Sequence, residues 1–288
     1  MRLSVELVRR FNRICPWQRV KPWMAERVQA RLSRELGERL YDGIDGGLRF
    51  HLDLSRQMHR RIYLNAYQPP ITSRIKKVLR PGDTYLDIGA SIGFFVVMAA
   101  RSVGASGRVI AYEPQPYHCE ILRRNIEVNG LKNVTLRPVA CWSSPGRATL
   151  HRFAGAKPTT SSLAKRPDKE VAGQLQVDTV RIDDEVTGLV RLVKIDVEGA
   201  EKEALLGARG VIAARPHPHL LVELNPKTTV GFGYHPIEVV DWLLGIAPYR
   251  MTLLRSRRSQ RIGRDVLLRL FQQHPMKTCN VHFEPAGS

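Results

Sequence analysis

Two stretches of this 288-residue chain hold residues whose types and spacing can do chemistry. The first runs Thr84-Tyr85-Leu86-Asp87-Ile88-Gly89-Ala90-Ser91-Ile92-Gly93 and continues into the apolar Phe94-Phe95-Val96-Val97-Met98-Ala99-Ala100. An apolar run of strand length ends near an acid, turns through two glycines, and enters a segment that can wind as a buried helix. Open α/β folds bring main chain against a nucleotide-like ligand in this way. Gly89 lets the chain turn with no Cβ in the way, and the helix start offers free N–H groups and a positive dipole end. Glu113, with Pro114 behind it, closes the next apolar run, Arg108–Tyr112. A carboxylate at that strand end can accept both hydroxyls of a ribose.

The second stretch is Leu192-Val193-Lys194-Ile195-Asp196-Val197-Glu198-Gly199-Ala200-Glu201. A central parallel strand is apolar on both faces, and Lys194 breaks that rule. A buried ammonium needs a carboxylate. Asp196 lies on the same face two residues on, and Glu223 falls in the neighbouring strand, so the spacing predicts a Lys194–Asp196–Glu223 cluster. Glu198 and Glu201 also suit a helix N-terminus, where acids meet the dipole favourably.

These residues need a scaffold that gathers strand ends. The pattern predicts strands at 84–88, 108–112, 134–140, 192–196, 219–224, 249–254 and 279–283, with helices at 71–79, 92–103, 116–129, 199–207 and 236–244 between them. Such alternation implies an α/β fold with a mostly parallel sheet covered by helices on both faces. Ligands in such sheets sit beyond the carboxyl ends of the strands. That places Asp87, Gly89, Ala90, Ser91, Gly93, Glu113, Pro114, Cys141, Trp142 and Asp196 around the ligand. Residues 143–185 interrupt the rhythm with two short strands, at 147–153 and 175–182, and an exposed loop over 157–173. Residues 1–80 read as a basic N-terminal extension of helix over 1–40 and a short hairpin strand at 48–54, ahead of a main domain at 81–288.

The glycine pattern selects among nucleotides. A dinucleotide turn needs G-x-G-x-x-G around a pyrophosphate. Here one glycine is missing and an acid precedes the turn, which disfavours pyrophosphate and favours a ligand with a cationic amine and a sulfonium. That ligand is S-adenosylmethionine; nicotinamide binding is the disfavoured alternative.

Formal net charge is +18 and is unevenly spread. Residues 1–80 carry 18 Lys/Arg against 7 Asp/Glu and residues 245–288 carry 8 against 2, leaving 19 against 18 between them. The basic ends can therefore meet anionic membrane, nucleic acid or an acidic glycan, or serve solubility alone. Leu3, Leu7, Phe11 and Ile14 recur at helical spacing among arginines, which suits packing on the domain or lying on a membrane surface. Four scattered cysteines, Cys15, Cys119, Cys141 and Cys279, contain no C-x-x-C pair, so neither zinc nor a disulfide framework is expected. With no long apolar run and no leader-like start, a reduced, cytoplasmic and at most membrane-peripheral setting is expected.

Taken together, Asp87-x-Gly89-Ala90-Ser91-x-Gly93, Tyr112-Glu113-Pro114, Leu122-x-x-Asn125-x-x-x-Asn129-Gly130, Lys194-Ile195-Asp196-Val197-Glu198-Gly199-Ala200-Glu201 and Asn280-Val281-His282-Phe283 resemble the FkbM-type family of S-adenosylmethionine-dependent methyltransferases. Ser91 stands where that family usually has Asn. The resemblance implies a class I methyltransferase (Rossmann-like) sheet of seven strands, the last antiparallel, and O-methylation of a hydroxyl on a sugar, glycan or secondary metabolite. An RNA methyltransferase that uses the basic ends is the alternative, and a methyltransferase-like membrane-docking scaffold is a non-enzymatic one. Removing a hydroxyl proton needs a base. Asp196 is the first candidate and Glu198 the second, with Lys194 beside them. Oligomeric state is not readable.

Overall fold

The computed structural model describes residues 7–9, 11, 32–34, 37–154, 161–166, 168–256 and 258–287. Its strands are β1 (Glu38–Ile44), β2 (Leu48–Asp53), β3 (Thr84–Ile88), β4 (Arg108–Tyr112), β5 (Val134–Arg137), β6 (Ala140–Cys141), β7 (Gly146–Phe153), β8 (Ser161–Ser162), β9 (Val171–Val180), β10 (Leu192–Ile195), β11 (His219–Leu224), β12 (Tyr249–Leu254), β13 (Gln260–Ile262) and β14 (Cys279–Pro285). The central sheet has the order β13-β12-β14-β11-β10-β3-β4-β5. Its five neighbours β11, β10, β3, β4 and β5 are parallel, while β14 runs against both β11 and β12, and β13 against β12. The expected class I-like α/β fold is present, but the sheet differs from the expected seven strands. A short edge strand, β13, folds back on β12, so the sheet has eight strands and one flank is antiparallel.

The expected third strand, 134–140, is also cut short. Pro138 cannot donate to a ladder, and after it the chain leaves the central sheet. Ala140–Cys141 pairs instead with β9 in a separate sheet of order β6-β9-β7-β8. The insertion is thus a small sheet of its own.

Two apolar cores flank the central sheet. One joins Tyr85, Phe94, Phe95 and Leu221 to Phe50 and Leu52 of the hairpin and to Ile71 and Ile75 of the helix Pro69–Val78. The other joins Leu86, Ile110, Val193, Val222 and Val281 to Ile237 and Val240 of the helix Pro236–Ile246. The hairpin partner that the sequence left unassigned is β1, paired antiparallel to β2 across Asp45-Gly46-Gly47. Glu38–Leu40, read as the end of a helix, are therefore strand. Most of the remaining helix over 1–40 lies outside the described residues, as do 157–160 and 167 of the insertion loop; of the amphipathic stripe, Leu7 and Phe11 are described and helical, Leu7 exposed and Phe11 packed against the first core, while Leu3 and Ile14 lie outside.

The helix Pro116–Val128 clamps the hairpin. Asn125 Oδ1 accepts from the His51 N–H at 2.7 Å, and its Nδ2 donates to the Ile92 carbonyl at 2.8 Å. Asn129 Oδ1 accepts from the Arg49 N–H at 3.0 Å, and its Nδ2 donates to the Arg49 carbonyl at 2.6 Å. The two asparagines of the L-x-x-N-x-x-x-N-G pattern thus fasten the N-terminal hairpin and the glycine turn to one helix.

His219 of β11 and His282 of β14 are buried against each other, Nδ1 to Nε2 at 3.0 Å. Burial, then nearby arginine, lowers His219 to about 4, and burial, then Arg74 and His219, lowers His282 to about 3. The unfolded chain takes up protons below about pH 6.5 that this pair refuses. Stability present above that pH is therefore lost as pH falls toward about 4. Compared with the unmodified protein, a double variant, His219→Leu with His282→Leu, should lose less of its urea midpoint, or gain more, between about pH 7.5 and about pH 4.5.

Candidate functional site

The floor of the site is a buried ion pair. Lys194 and Asp87 face each other in register on β10 and β3. Lys194 Nζ lies 3.2 Å from Asp87 Oδ1, 3.7 Å from Asp196 Oδ2 and 5.3 Å from the centre of the Phe95 ring. Tyr85 donates its hydroxyl to the other Asp87 oxygen at 3.2 Å. Burial opposes the charge on Lys194, but Asp87 and Asp196 outweigh it and the ammonium stays protonated. The expected Lys194–Asp196 contact is present. The nearest partner, however, is Asp87, and Glu223 does not come within ion-pairing distance of Lys194. The register of β3 against β10 decides this, and sequence spacing along one strand cannot supply it.

Above this floor the chain turns at Gly89. Its φ is 84°, and a Cβ there would collide with the Asp196 carbonyl oxygen, so the two turns meet closely. Ser91 takes a left-handed φ of 51°. Asn tolerates this conformation better than Ser, which gives a physical reason for Asn in the family pattern. The Ser91 N–H donates to Glu113 Oε2 at 2.8 Å, and the Gln115 N–H donates to Glu113 Oε1 at 3.0 Å. His118 Nδ1 lies 3.5 Å from Glu113 Oε1. Burial would raise the Glu113 carboxyl, but His118 and the two main-chain donors win and hold it below its usual value. Glu113 is a fixed carboxylate with lone pairs left for a ligand.

The turn after β10 is built by its own acids. Glu201 Oε1 accepts from the Val197 and Gly199 N–H groups, each at 3.1 Å, and Tyr234 donates its hydroxyl to the Gly199 carbonyl at 2.7 Å. Buried Glu201 is raised to about 7 by desolvation. Glu198 carries a left-handed φ of 54°. Burial, then Asp196, raises it to about 7. Strained non-glycine residues of this kind cluster at ligand sites. The insertion caps this turn: Ser162 donates to the Glu198 carbonyl at 2.8 Å, and Arg166 Nη1 lies 3.8 Å from Glu198 Oε2.

These parts enclose a cleft of about 240 Å³ over the strand ends, just below the usual ~300–1,000 Å³ of ligand sites. Of the residues expected around a ligand, Gly89, Ala90, Ser91, Glu113, Pro114, Cys141, Lys194, Asp196 and Glu198 line it. Asp87 lies beneath the floor, paired to Lys194. Gly93 serves the helix start, its missing Cβ leaving room for Leu122. Trp142 is not among the lining residues, and its ring centre lies 6.2 Å from that of Phe232. Tyr67, Met58, Ile62 and His118 also line the cleft. None of these four is among the residues expected from the sequence. A tyrosine just before Gln68-Pro69-Pro70 was the available signal. Among the described residues, no three His, Cys, Asp or Glu side chains are grouped to hold a metal ion, and no helix is long and apolar enough to cross a membrane.

A family model described as a methyltransferase FkbM domain matches residues 87–250. "Methyltransferase 1" of Beauveria bassiana is 29% identical over 148 residues, 44% of this chain and 59% of that protein. "31-O-demethyl-FK506 methyltransferase FkbM" of Streptomyces tacrolimicus is 29% identical over 161 residues, 45% of this chain and 60% of that protein. The chain thus spans less than two thirds of the length of these relatives. The solved structure of methyltransferase FkbM from Methylobacillus flagellatus covers 89% of this chain, with 58% of its own length matched, at 18% identity and a TM-score of 0.46.

Two substitutions test the geometry. Lys194→Met leaves Asp87 buried without its cation and should cost about 3–5 kcal/mol, read from urea unfolding at neutral pH. Ser91→Asn should stabilise by roughly 0.5–1 kcal/mol, whereas Ser91→Val should cost about 1–2 kcal/mol, since a β-branched side chain resists a left-handed turn.

Proposed function

The chain belongs to the FkbM methyltransferase family, and we propose that it is an S-adenosylmethionine-dependent O-methyltransferase acting on a hydroxyl of a sugar, glycan or secondary metabolite. The observation that carries this reading is the cleft itself. A fixed carboxylate, Glu113, stands at one end, and a surplus of carboxyls, Asp196 and Glu198, stands at the other. The name of the Streptomyces relative, a 31-O-demethyl-FK506 methyltransferase, specifies an oxygen acceptor, and that supports a hydroxyl as the acceptor here.

The residues present fit the donor. Both Glu113 oxygens already accept main-chain N–H groups, which orients their free lone pairs for the two hydroxyls of a ribose. The absent Cβ at Gly89 allows the donor to lie against main chain. When bound, S-adenosylmethionine supplies an electrophilic methyl group on a positively charged sulfur.

In this reading Asp196, Glu198 and Lys194 form the reactive end. Lys194 holds Asp196 in place, and the acids offset positive charge in a site of low dielectric. Ser162 and Arg166 hold the Glu198 turn from the insertion side. Fixing the acceptor in line with the methyl is the main task, and orientation of this kind can remove several kcal/mol of barrier.

Glu113→Ala should weaken S-adenosylmethionine binding about 100-fold, the loss of a charge-assisted pair of hydrogen bonds, in titration calorimetry. Unchanged affinity would sink the donor assignment. Transfer of labelled methyl to a glycan or small-metabolite fraction, with RNA from the same cells left unlabelled, is the expected outcome for the acceptor. Labelled RNA would instead favour the nucleic-acid alternative.

A further inference from the structure

Three carboxyls gather at the reactive end; Asp196 and Glu198 line the cleft, and each has a cation within 4 Å. Asp196 has Lys194 at 3.7 Å, and Glu198 has Arg166 at 3.8 Å. The third is Glu223. β10 and β11 are parallel, with Lys194 opposite Leu221 and Ile195 opposite Val222. The next pair in that register is Asp196 and Glu223, so their side chains stand on the same face of the sheet. Among the described residues no cation and no hydrogen-bond donor reaches the Glu223 carboxyl. It is partly accessible to solvent.

Its place in the sheet gives it a role. Glu113 follows β4, the Gly89 turn follows β3, Asp196 follows β10, and Glu223 ends β11. These strands are consecutive in the order β11-β10-β3-β4. A donor anchored at Glu113 and running across the Gly89 turn has its reactive end at Asp196. An acceptor approaching in line comes from the far side of Asp196, where Glu223 stands.

We propose that Glu223 is the proton acceptor of the reaction: it gives up a proton when the positively charged methyl donor enters, and takes the proton of the acceptor hydroxyl as that charge is lost. The step balances. The acceptor O–H bond breaks and an O–C bond forms to the methyl; the S–C bond breaks, leaving a neutral thioether; the proton passes to the Glu223 carboxylate. The surroundings make Glu223 sensitive to that charge. It is faced by Lys194 from β10, Asp196 and Glu198 from the turn after it, Glu201 from the helix Glu201–Leu206, Tyr67 from the loop before the helix Pro69–Val78, and Cys279 from β14. Burial, then Asp196, Glu198 and Glu201, hold its carboxyl protonated well above the ordinary range. A sulfonium nearby reverses the sign of the local field and releases the proton. Loss of the sulfonium restores it, so the base strengthens as the methyl leaves.

This inference rests on the donor assignment above, and the experiment separates the two. Titration calorimetry of the full chain near neutral pH, in buffers of different ionisation enthalpy, counts protons exchanged on binding. S-adenosylmethionine should release close to one proton per site more than the product S-adenosylhomocysteine, which lacks the sulfonium charge. Glu223→Gln should still bind both ligands and lose that difference. Equal proton release for both ligands in the unmodified protein, or a difference that survives in Glu223→Gln, overturns the role of Glu223. Failure of the unmodified protein to bind either ligand overturns the donor assignment instead. A second readout does not depend on the variant folding. In the unmodified protein, the infrared absorption of protonated carboxyls, to which Glu198 and Glu201 also contribute near neutral pH, should fall by more on adding S-adenosylmethionine than on adding S-adenosylhomocysteine; an equal change with both ligands counts against the proposal.

Discussion

The Lys194–Asp87 pair is the interaction on which the site depends. It lies between two central strands, almost without solvent contact, where burying charge is costly and well-packed apolar residues often serve stability as well. Its consequence is electrostatic. Asp87, the acid that heads the glycine turn, is occupied by Lys194 and Tyr85 and is not a free ligand group. One lysine neutralises one buried acid, and the acids around the strand ends are left in surplus. Glu198 and Glu201 are each raised to about 7, and Glu223 is raised well above its ordinary range. A cleft with such a surplus favours a cationic ligand; Arg166, buried on the insertion side 3.8 Å from Glu198, offsets only part of it.

The same economy explains which motif residues are structural. Glu201 closes the turn over Val197 and Gly199 through main-chain bonds, so its carboxyl shapes the site from behind. Gly199 has a φ of 106°, and a Cβ there would press on the Thr228 carbonyl, so its absence lets the turn sit against the segment after β11. Asn125 ties the Ile92 carbonyl of the glycine turn to the His51 N–H of the hairpin. The hairpin therefore supports the turn, and Met58, Ile62 and Tyr67, which follow it in the chain, form a wall of the cleft.

The strand–turn–helix at 84–103, the carboxylate at Glu113 and the charged strand at 192–195 were legible because each is a local pattern. What was not legible depends on register or on distant chain. Lys194 was matched to Asp196 and Glu223 because spacing along a strand is visible in sequence, whereas the offset of β3 against β10 is not. The early exit of the third strand could have been read from Pro138, but its new partner, β9, lies about 40 residues on and is set by the insertion's own pairing. The edge strand β13 is three residues long, too short for periodicity to register. The left-handed backbone at Ser91 and Glu198 was hidden because neither residue type advertises it; only the usual Asn at the first position hinted at the turn.

Charge is divided between the outside of the molecule and its cleft. The chain carries +18, yet the strand ends gather acids. The two do not cancel at the site. Exposed charges are screened beyond about 8 Å at physiological ionic strength, whereas groups in the cleft interact through a medium of lower dielectric. Asp196, Glu198 and Glu223 therefore set the potential felt by a ligand in the cleft, and the arginines and lysines of the outer surface set the potential felt by whatever approaches from solution. In the proposed reaction these fields act on different partners. The interior selects a cationic donor, and the exterior draws acceptors that carry negative charge. An anionic acceptor would gain little by entering beyond the rim, since the acids that hold the donor would repel it. The geometry thus favours an acceptor whose charged groups stay at the basic surface and whose neutral hydroxyl alone reaches the carboxyl at the end of β11.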